Sequence, residues 1–276
     1  MKRPPSLRAR LAAVGPARCV LFADLDGTLT PIVRRPHEAR MSEPVRRLLR
    51  RLACRIPVVI VSGRALVDVR RIVGVPTLRY VASHGLVYQK SRSRARWLGR
   101  PAPRSTVLGW IRALKQAAEG IKGTLVEDKG LTVALHDRLV SPGDRARLHR
   151  RVRRALDPLQ RDGMASLVRG KRVLEVRPAG SWNKGTAVAK LLRERWAAGR
   201  VPVYFGDDRT DFDAFRVLRG RGLSVRVGGR RGVAGEDAWL PGPSAVASCL
   251  RWLDLEIERA QRRTQRNARN KARGSG

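Results

Sequence analysis

Cys19-Val20-Leu21-Phe22-Ala23-Asp24-Leu25-Asp26-Gly27-Thr28-Leu29-Thr30 decides the fold of this chain. Its first five residues form a continuous apolar run, the pattern of a strand covered on both faces. The run ends in two aspartates at alternate positions, and residues i and i+2 of a strand project to the same side. Gly27 permits a sharp turn after them. A second apolar run, Val201 to Phe205, ends in Gly206-Asp207-Asp208-Arg209-Thr210-Asp211. Ligands of open α/β sheets lie beyond the carboxyl ends of the strands, so two acid clusters at two strand ends point to one site. Carboxylates with no His or Cys nearby suit a hard cation such as Mg²⁺. Those are the ingredients of phosphoryl transfer.

Outward from these runs, strand and helix signals alternate. Val45, Leu48, Leu49 and Leu52 fall at helical spacing and predict a helix over Ser42–Ala53. Pro57–Val61 reads as the next strand and ends in Ser62-Gly63-Arg64; a short helix to Val73 and a strand Leu78–Ala82 follow, the latter ending at Ser83-His84-Gly85. This alternation predicts an α/β fold with a doubly wound parallel sheet. The rhythm changes at about Ser91. A helix Thr106–Glu119, alternating segments Gly123–Asp128 and Leu131–Asp137, a basic helix Asp144–Leu156 and a second pair, Ala165–Val168 and Arg172–Val176, have α+β order. They read as a domain inserted over residues 91–178 between core segments 18–90 and 179–258. Helices Lys184–Ala197, Thr210–Leu218 and Ser244–Glu258 and a strand Leu223–Val227 complete the core. Residues 1–17 read as a basic flexible leader, and 259–276 as a basic disordered tail.

The 276 residues carry 59 Lys and Arg against 23 Asp and Glu, a formal charge of +36. Such a field attracts polyanions without specificity. The basic residues are spread along the chain and only 5% of residues are aromatic, which leaves few platforms for stacking bases. The expectation is incidental polyanion affinity on an ordinary enzyme. No apolar stretch approaches the roughly 20 residues of a spanning helix, which argues against a membrane and for a soluble, cytoplasmic protein. Cys19, Cys54 and Cys249, odd in number and widely spaced, read as small buried residues in a reducing compartment rather than a disulfide framework or zinc site.

Individual residues sharpen the chemistry. Of Asp24 and Asp26, one carboxylate can attack phosphorus while the other protonates the leaving alcohol and then deprotonates water. Thr28 adds a hydroxyl and an N–H for an anion. Asp207 reads as a metal ligand, with Asp208 and Asp211 beside it or paired to a lysine, because acids this close need a compensating cation. Ser62, Gly63 and Arg64 close a strand and open a helix, where a hydroxyl and backbone N–H groups can hold phosphate oxygens; a plain capped helix start is the alternative. Lys184 begins a helix, where a cation opposes the dipole and calls for an anionic neighbour.

Taken in order, Asp24 to Thr28, Ser62-Gly63-Arg64, Lys184 and Gly206-Asp207-Asp208 resemble the four motifs of the haloacid-dehalogenase-like (HAD) phosphohydrolases, and the insert resembles their C2-type cap. Leu29-Thr30-Pro31-Ile32, Ser83-His84-Gly85, Glu127-Asp128-Lys129-Gly130 with Ala134-Leu135-His136, and Leu174-Glu175-Val176-Arg177-Pro178 narrow the resemblance to the trehalose-6-phosphate phosphatase family, from about Val20 to Leu253. The resemblance implies an Mg²⁺-dependent enzyme that releases phosphate from trehalose 6-phosphate through an aspartyl phosphate. Asp24 would be nucleophile and metal ligand, Asp26 the acid/base with its carbonyl on the metal, and Asp207 the remaining protein ligand. Ser62 and Lys184 would hold the transferring group, with Asp208 and Asp211 completing the catalytic set. Glu127, Lys129, Glu175 and His84 would meet the sugar phosphate when the cap closes. A separate trehalose-phosphate synthase would supply the substrate. Three positions depart from the family pattern: Phe212 replaces a usual acid, Asn183 a frequent Asp, and Asp137 the tyrosine of His-Tyr-Arg. The competing readings are the same chemistry on another sugar or polyol phosphate, and a polyanion-binding protein on the same scaffold.

Overall fold

The apolar run Cys19–Ala23 forms the strand β1 at the middle of an eight-stranded sheet, with every residue buried. The computed structural model describes residues 6–170, 172–180 and 182–273, the side chains of 268–273 apart. Before the insert, the chain forms α1 (Leu7–Val14), β1, α2 (Glu43–Ala53), β2 (Val58–Val61), α3 (Leu66–Val73), β3 (Arg79–Ala82), β4 (Val87–Lys90) and β5 (Arg96–Trp97). The insert contributes α4 (Arg104–Ala118), β6 (Leu125–Asp128), β7 (Val133–His136), α5 (Pro142–Arg161), β8 (Ala165–Gly170) and β9 (Val173–Pro178). Then come α6 (Lys184–Leu192), β10 (Val201–Gly206), α7 (Phe212–Leu218), β11 (Leu223–Val227), β12 (Ala238–Leu240) and α8 (Pro243–Arg273).

The large sheet has the order β12-β11-β10-β1-β2-β3-β4-β5, parallel from β12 to β3 and antiparallel at β4 and β5. Alternation along β1 divides its side chains between two layers, as the two-residue period of a strand requires. Leu21 and Ala23 pack with Leu48, Leu52, Ile72 and Leu250 from α2, α3 and α8. Val20 and Phe22 pack with Val188, Leu191, Phe215 and Leu218 from α6 and α7. The chain leaves β1 in one direction through β2 and β3, and in the other through β10 and β11. The strand order therefore reverses between β1 and β10, which opens a crevice at their carboxyl ends. The insert is a separate antiparallel sheet, β6-β7-β9-β8, with its own core of Trp110, Leu114, Leu148, Val152 and Leu156 under α4 and α5.

The alternating α/β order and the central strands match the sequence expectation; the periphery differs. Leu7–Val14 is a helix, not a flexible leader. Ser6 caps it by accepting from the Ala9 N–H (3.3 Å), and Leu11 is fully buried in the core. Residues 1–5 of that expected leader lie outside the described residues. The expected boundary at residue 91 moves, because β5 pairs with β4 and extends the large sheet. The expected helix to Ala197 ends at Leu192, and the turn after it brings the Trp196 ring over the Arg79 guanidinium (4.3 Å). The tail is also helical, through Arg273. Its last buried anchor is Ile257, and Arg259–Glu256 and Arg262–Glu258 pairs support the turns beyond. Of the cysteines, Cys19 and Cys249 are buried, whereas Cys54 at the end of α2 is exposed. Among the described residues, no helix is long and apolar enough to cross a membrane.

Candidate active site

Parallel pairing of β1 with β10 places Ala23 opposite Phe205, and the Asp24 N–H donates to the Phe205 carbonyl (2.9 Å). The register carries both acid clusters off adjacent strand ends, so Asp24 and Asp207 meet, 5% and 3% exposed. Oxygens of Asp24, Asp207 and Asp211 all lie within 4.8 Å of one another. Such a cluster needs a cation. Lys184 supplies one: its Nζ donates to Asp24 (2.8 Å) and Asp211 (2.7 Å). Burial opposes the charge on Lys184, but Asp211 and Asp24 beside it hold its pKa above the ordinary lysine value. Burial raises the Asp24 carboxyl well above the usual range; Lys184 pulls it down, and Asp211 and Asp207 push it up again.

Two backbone features let the acids approach. Gly27 has φ +88°, and a Cβ there would stand 2.3 Å from Asp207 Oδ2, so only glycine fits. The Thr28 hydroxyl, fully buried, donates to Asp207 Oδ1 (3.4 Å). Asp211 is fully engaged by protein: besides Lys184, it accepts from the Tyr204 hydroxyl (2.8 Å) and the Asp208 N–H (3.0 Å). Tyr204 was missed by sequence reasoning because an aromatic inside an apolar strand reads as core, which it also is, between Phe22 and Phe215. Asp208 takes no part in holding Lys184; its carboxylate turns toward Gly170 of the insert.

Asp26 and Arg64 form a pair that sequence spacing did not reveal. Both Asp26 oxygens accept from Arg64, at 2.6 and 2.7 Å, and Arg64 also donates to the Pro36 carbonyl (2.8 Å). Arg64 thus orients the Asp26 carboxylate instead of standing free for a phosphate. Ser62 is buried beside it, its hydroxyl accepting from the Arg64 N–H (3.2 Å).

The insert roofs the same cavity. Glu127 meets His136 (2.7 Å); Glu175 accepts from Thr132 (2.9 Å), Lys129 (3.4 Å) and Arg177 (3.0 Å). Burial opposes the charge of Glu175, yet the neighbouring cations Lys129 and Arg177 hold its carboxyl well below the ordinary value. His84 lies under this roof in a left-handed turn, with φ 49° at Ser83 and 55° at His84. Each such residue costs about 1–2 kcal/mol, which the surrounding contacts must offset. Burial, then Arg177, pushes the His84 pKa down to about 3, so the ring is neutral. Of the expected site residues, Asp24, Asp26, Ser62, Gly63, Arg64, His84, Glu127, Lys129, Glu175, Lys184, Asp207 and Asp208 line one cavity; Thr28 and Asp211 support it from behind. Phe212 and Asp137 do not line it. Phe212 carries the Arg226 guanidinium (4.9 Å) and Asp137 meets His149 (2.7 Å) beneath α5.

The donor set fits a small divalent cation. Asp24 and Asp207 present buried oxygens to one another while Asp211 is spent on Lys184, Tyr204 and a backbone N–H. Comparisons with known proteins identify the family. The model of the trehalose-phosphatase family matches residues 22–232. Trehalose 6-phosphate phosphatase RA3 of Zea mays is 34% identical over 275 residues, covering 92% of this chain and 75% of that one. Probable trehalose-phosphate phosphatase 9 of Oryza sativa subsp. japonica is 37% identical over 256 residues, covering 82% and 68%. The C-terminal domain of C. albicans trehalose-6-phosphate phosphatase superposes with a TM-score of 0.81 at 24% identity, over 91% of this chain and 98% of that one, and shows the fold. With the family model spanning most of the sequence, this chain belongs to the trehalose-phosphatase family.

Proposed function

We propose that this chain hydrolyses trehalose 6-phosphate to trehalose and phosphate, with Mg²⁺ held by the Asp24 and Asp207 carboxylates and the Asp26 carbonyl. The observation that carries the reading is one cavity with two characters. Its floor holds Asp24, Lys184 and Asp207; its roof, Glu127, Lys129, His136 and Glu175, is polar and suited to a ring of sugar hydroxyls. When bound, the cation neutralises phosphoryl oxygens and the facing carboxylates.

The chain's own groups supply the remaining steps. Asp24 attacks phosphorus, forming an acyl-phosphate bond as the bond to the sugar oxygen breaks, and Asp26 gives that oxygen a proton. Asp26 then takes a proton from water, whose oxygen attacks the same phosphorus and releases phosphate, restoring Asp24. Lys184 and the Ser62 loop hold the phosphoryl oxygens, while Arg64 fixes the angle of Asp26. We read residues 104–178 as the cap that covers the sugar. A cytoplasmic location and a separate synthase as the source of substrate belong to the same reading.

The test is phosphate release from trehalose 6-phosphate, sucrose 6-phosphate, glucose 6-phosphate and p-nitrophenyl phosphate, each with Mg²⁺ and with EDTA. The reading expects strong Mg²⁺-dependent preference for trehalose 6-phosphate and loss of turnover in Asp24→Asn. Turnover by Asp24→Asn would sink the mechanism. Activity on the aryl ester alone would remove the substrate and leave the chemistry.

A further inference from the structure

The turn Ser83-His84-Gly85 touches three pieces of the site at once. Toward the phosphate-facing loop, the His84 N–H donates to the Ser62 carbonyl (3.1 Å) and the Ser83 N–H to the Arg64 carbonyl (2.8 Å). The His84 ring packs against Gly63, where a Cβ would stand 2.1 Å from Cε1. Toward α6, a Cβ on Gly85 would stand 2.6 Å from the carbonyl of Asn183, the residue that caps the helix bearing Lys184. The Gly85 carbonyl also accepts from Trp182 Nε1 (2.6 Å). Toward the insert, His84 meets two residues of β9. Arginine can only donate, so Arg177 Nη2 gives its proton to His84 Nδ1 (2.5 Å) and Nε2 carries the ring proton. The Glu175 carboxylate lies against that Nε2, off the line of a full hydrogen bond.

The insert lies over the cavity in this arrangement. The cavity measures about 190 Å³, below the roughly 300–1,000 Å³ of ordinary small-molecule pockets. If the roof lifts to admit a disaccharide phosphate, Glu175 and Arg177 part from His84.

We infer that His84 is a positioning residue, a latch through which closure of the insert is transmitted to the Ser62 loop and to the Lys184 helix start. Its contacts with Glu175 and Arg177 form only when the roof is down, and its ring and turn bear on both phosphoryl-holding elements. In the latched state it is held between Gly63 on one side and β9 on the other, with little of its surface left to the cavity. The latch deepens the proposed hydrolase reading and rests on it for its kinetic part.

Two readouts test it separately. In His84→Asn, whose residue tolerates the left-handed turn, hydrogen exchange of the substrate-free protein should rise together in Val173–Pro178 and in residues 62–64. A rise confined to residues 83–86 overturns the latch, whatever the substrate. In kinetics, His84→Asn should lower kcat on trehalose 6-phosphate about ten- to hundredfold with KM within threefold, as misplaced phosphoryl contacts do. Its loss on p-nitrophenyl phosphate, which offers no sugar to draw the roof down, should be smaller. Arg177→Met should do the same from the insert side, and the double variant should lose no more than the worse single one. Losses that multiply, or a rise in KM alone, overturn it. A wild-type protein inactive on trehalose 6-phosphate would refute the substrate and leave the exchange experiment standing.

Discussion

Replacing Lys184 by Met keeps the length of the side chain and removes its charge. Lys184 bridges Asp24 and Asp211 at 2.8 and 2.7 Å, and its side chain is 4% exposed. The variant would leave Asp24 and Asp211 without the cation that bridges them. Removing one partner of a buried ion pair costs about 3–5 kcal/mol. For a chain of this size that corresponds to roughly 5–9 °C in Tm. The loss should depend on pH. The Asp24 carboxyl already titrates well above its ordinary value, and losing Lys184 raises it further. A carboxyl raised in the folded state binds more protons folded than unfolded, so the variant gains stability as pH falls. Its deficit against wild type should therefore shrink between pH 8 and pH 5. Mg²⁺ should restore part of it, about 1.4 kcal/mol at ten times Kd. Thermal melts at several pH values, in EDTA and in Mg²⁺, measure all three. A Lys184→Met protein as stable as wild type at pH 8 in EDTA would refute the account of the cluster.

Three more outcomes are specific. Gly27→Ala should lower turnover at least a hundredfold and weaken the Mg²⁺-dependent rise in Tm, because the new methyl displaces Asp207; steady-state rates and melts check this. Tyr204→Phe keeps the ring between Phe22 and Phe215 but removes one donor from Asp211. It should cost about 1–3 kcal/mol, read by urea unfolding, with kcat reduced and KM little changed. Iodoacetamide at pH 8 should label Cys54 alone in the native protein and all three cysteines in urea. Burial pushes the Cys19 and Cys249 thiols up to about 11, and a mass spectrum with more than one native adduct would contradict that.

Most of the floor of the site was readable from the sequence because strand ends announce themselves: an apolar run stops and acids begin. Asp24, Ser62 and Asp207 each lie just past the end of such a run. Lys184 was also legible through conflict, since a cation at a helix start demands an anion. The Asp26–Arg64 pair was not, because it depends on how two strand-end loops face each other across β1 and β2. Nor was Arg177, which reads as an ordinary strand charge until the fold lays β9 over the Ser83 turn. In the periphery, β5 and β12, two and three residues long, are too short to show a period. Helix α1 was hidden by arginines; only Leu7, Leu11 and Val14, on one face, reveal it.

The pairing of β1 with β10 has a consequence for biosynthesis. Thr28 and Asp207 bond across 179 residues of chain, so a ribosome must deliver the whole insert before the crevice has its second wall. The insert buries its own apolar residues through local pairings, and local contacts form early. Once folded, it becomes a short staple that brings the two halves of the large sheet within reach and shortens the loop to be closed. The domain proposed to cover the substrate would then be the one that gathers the strands of the site during synthesis.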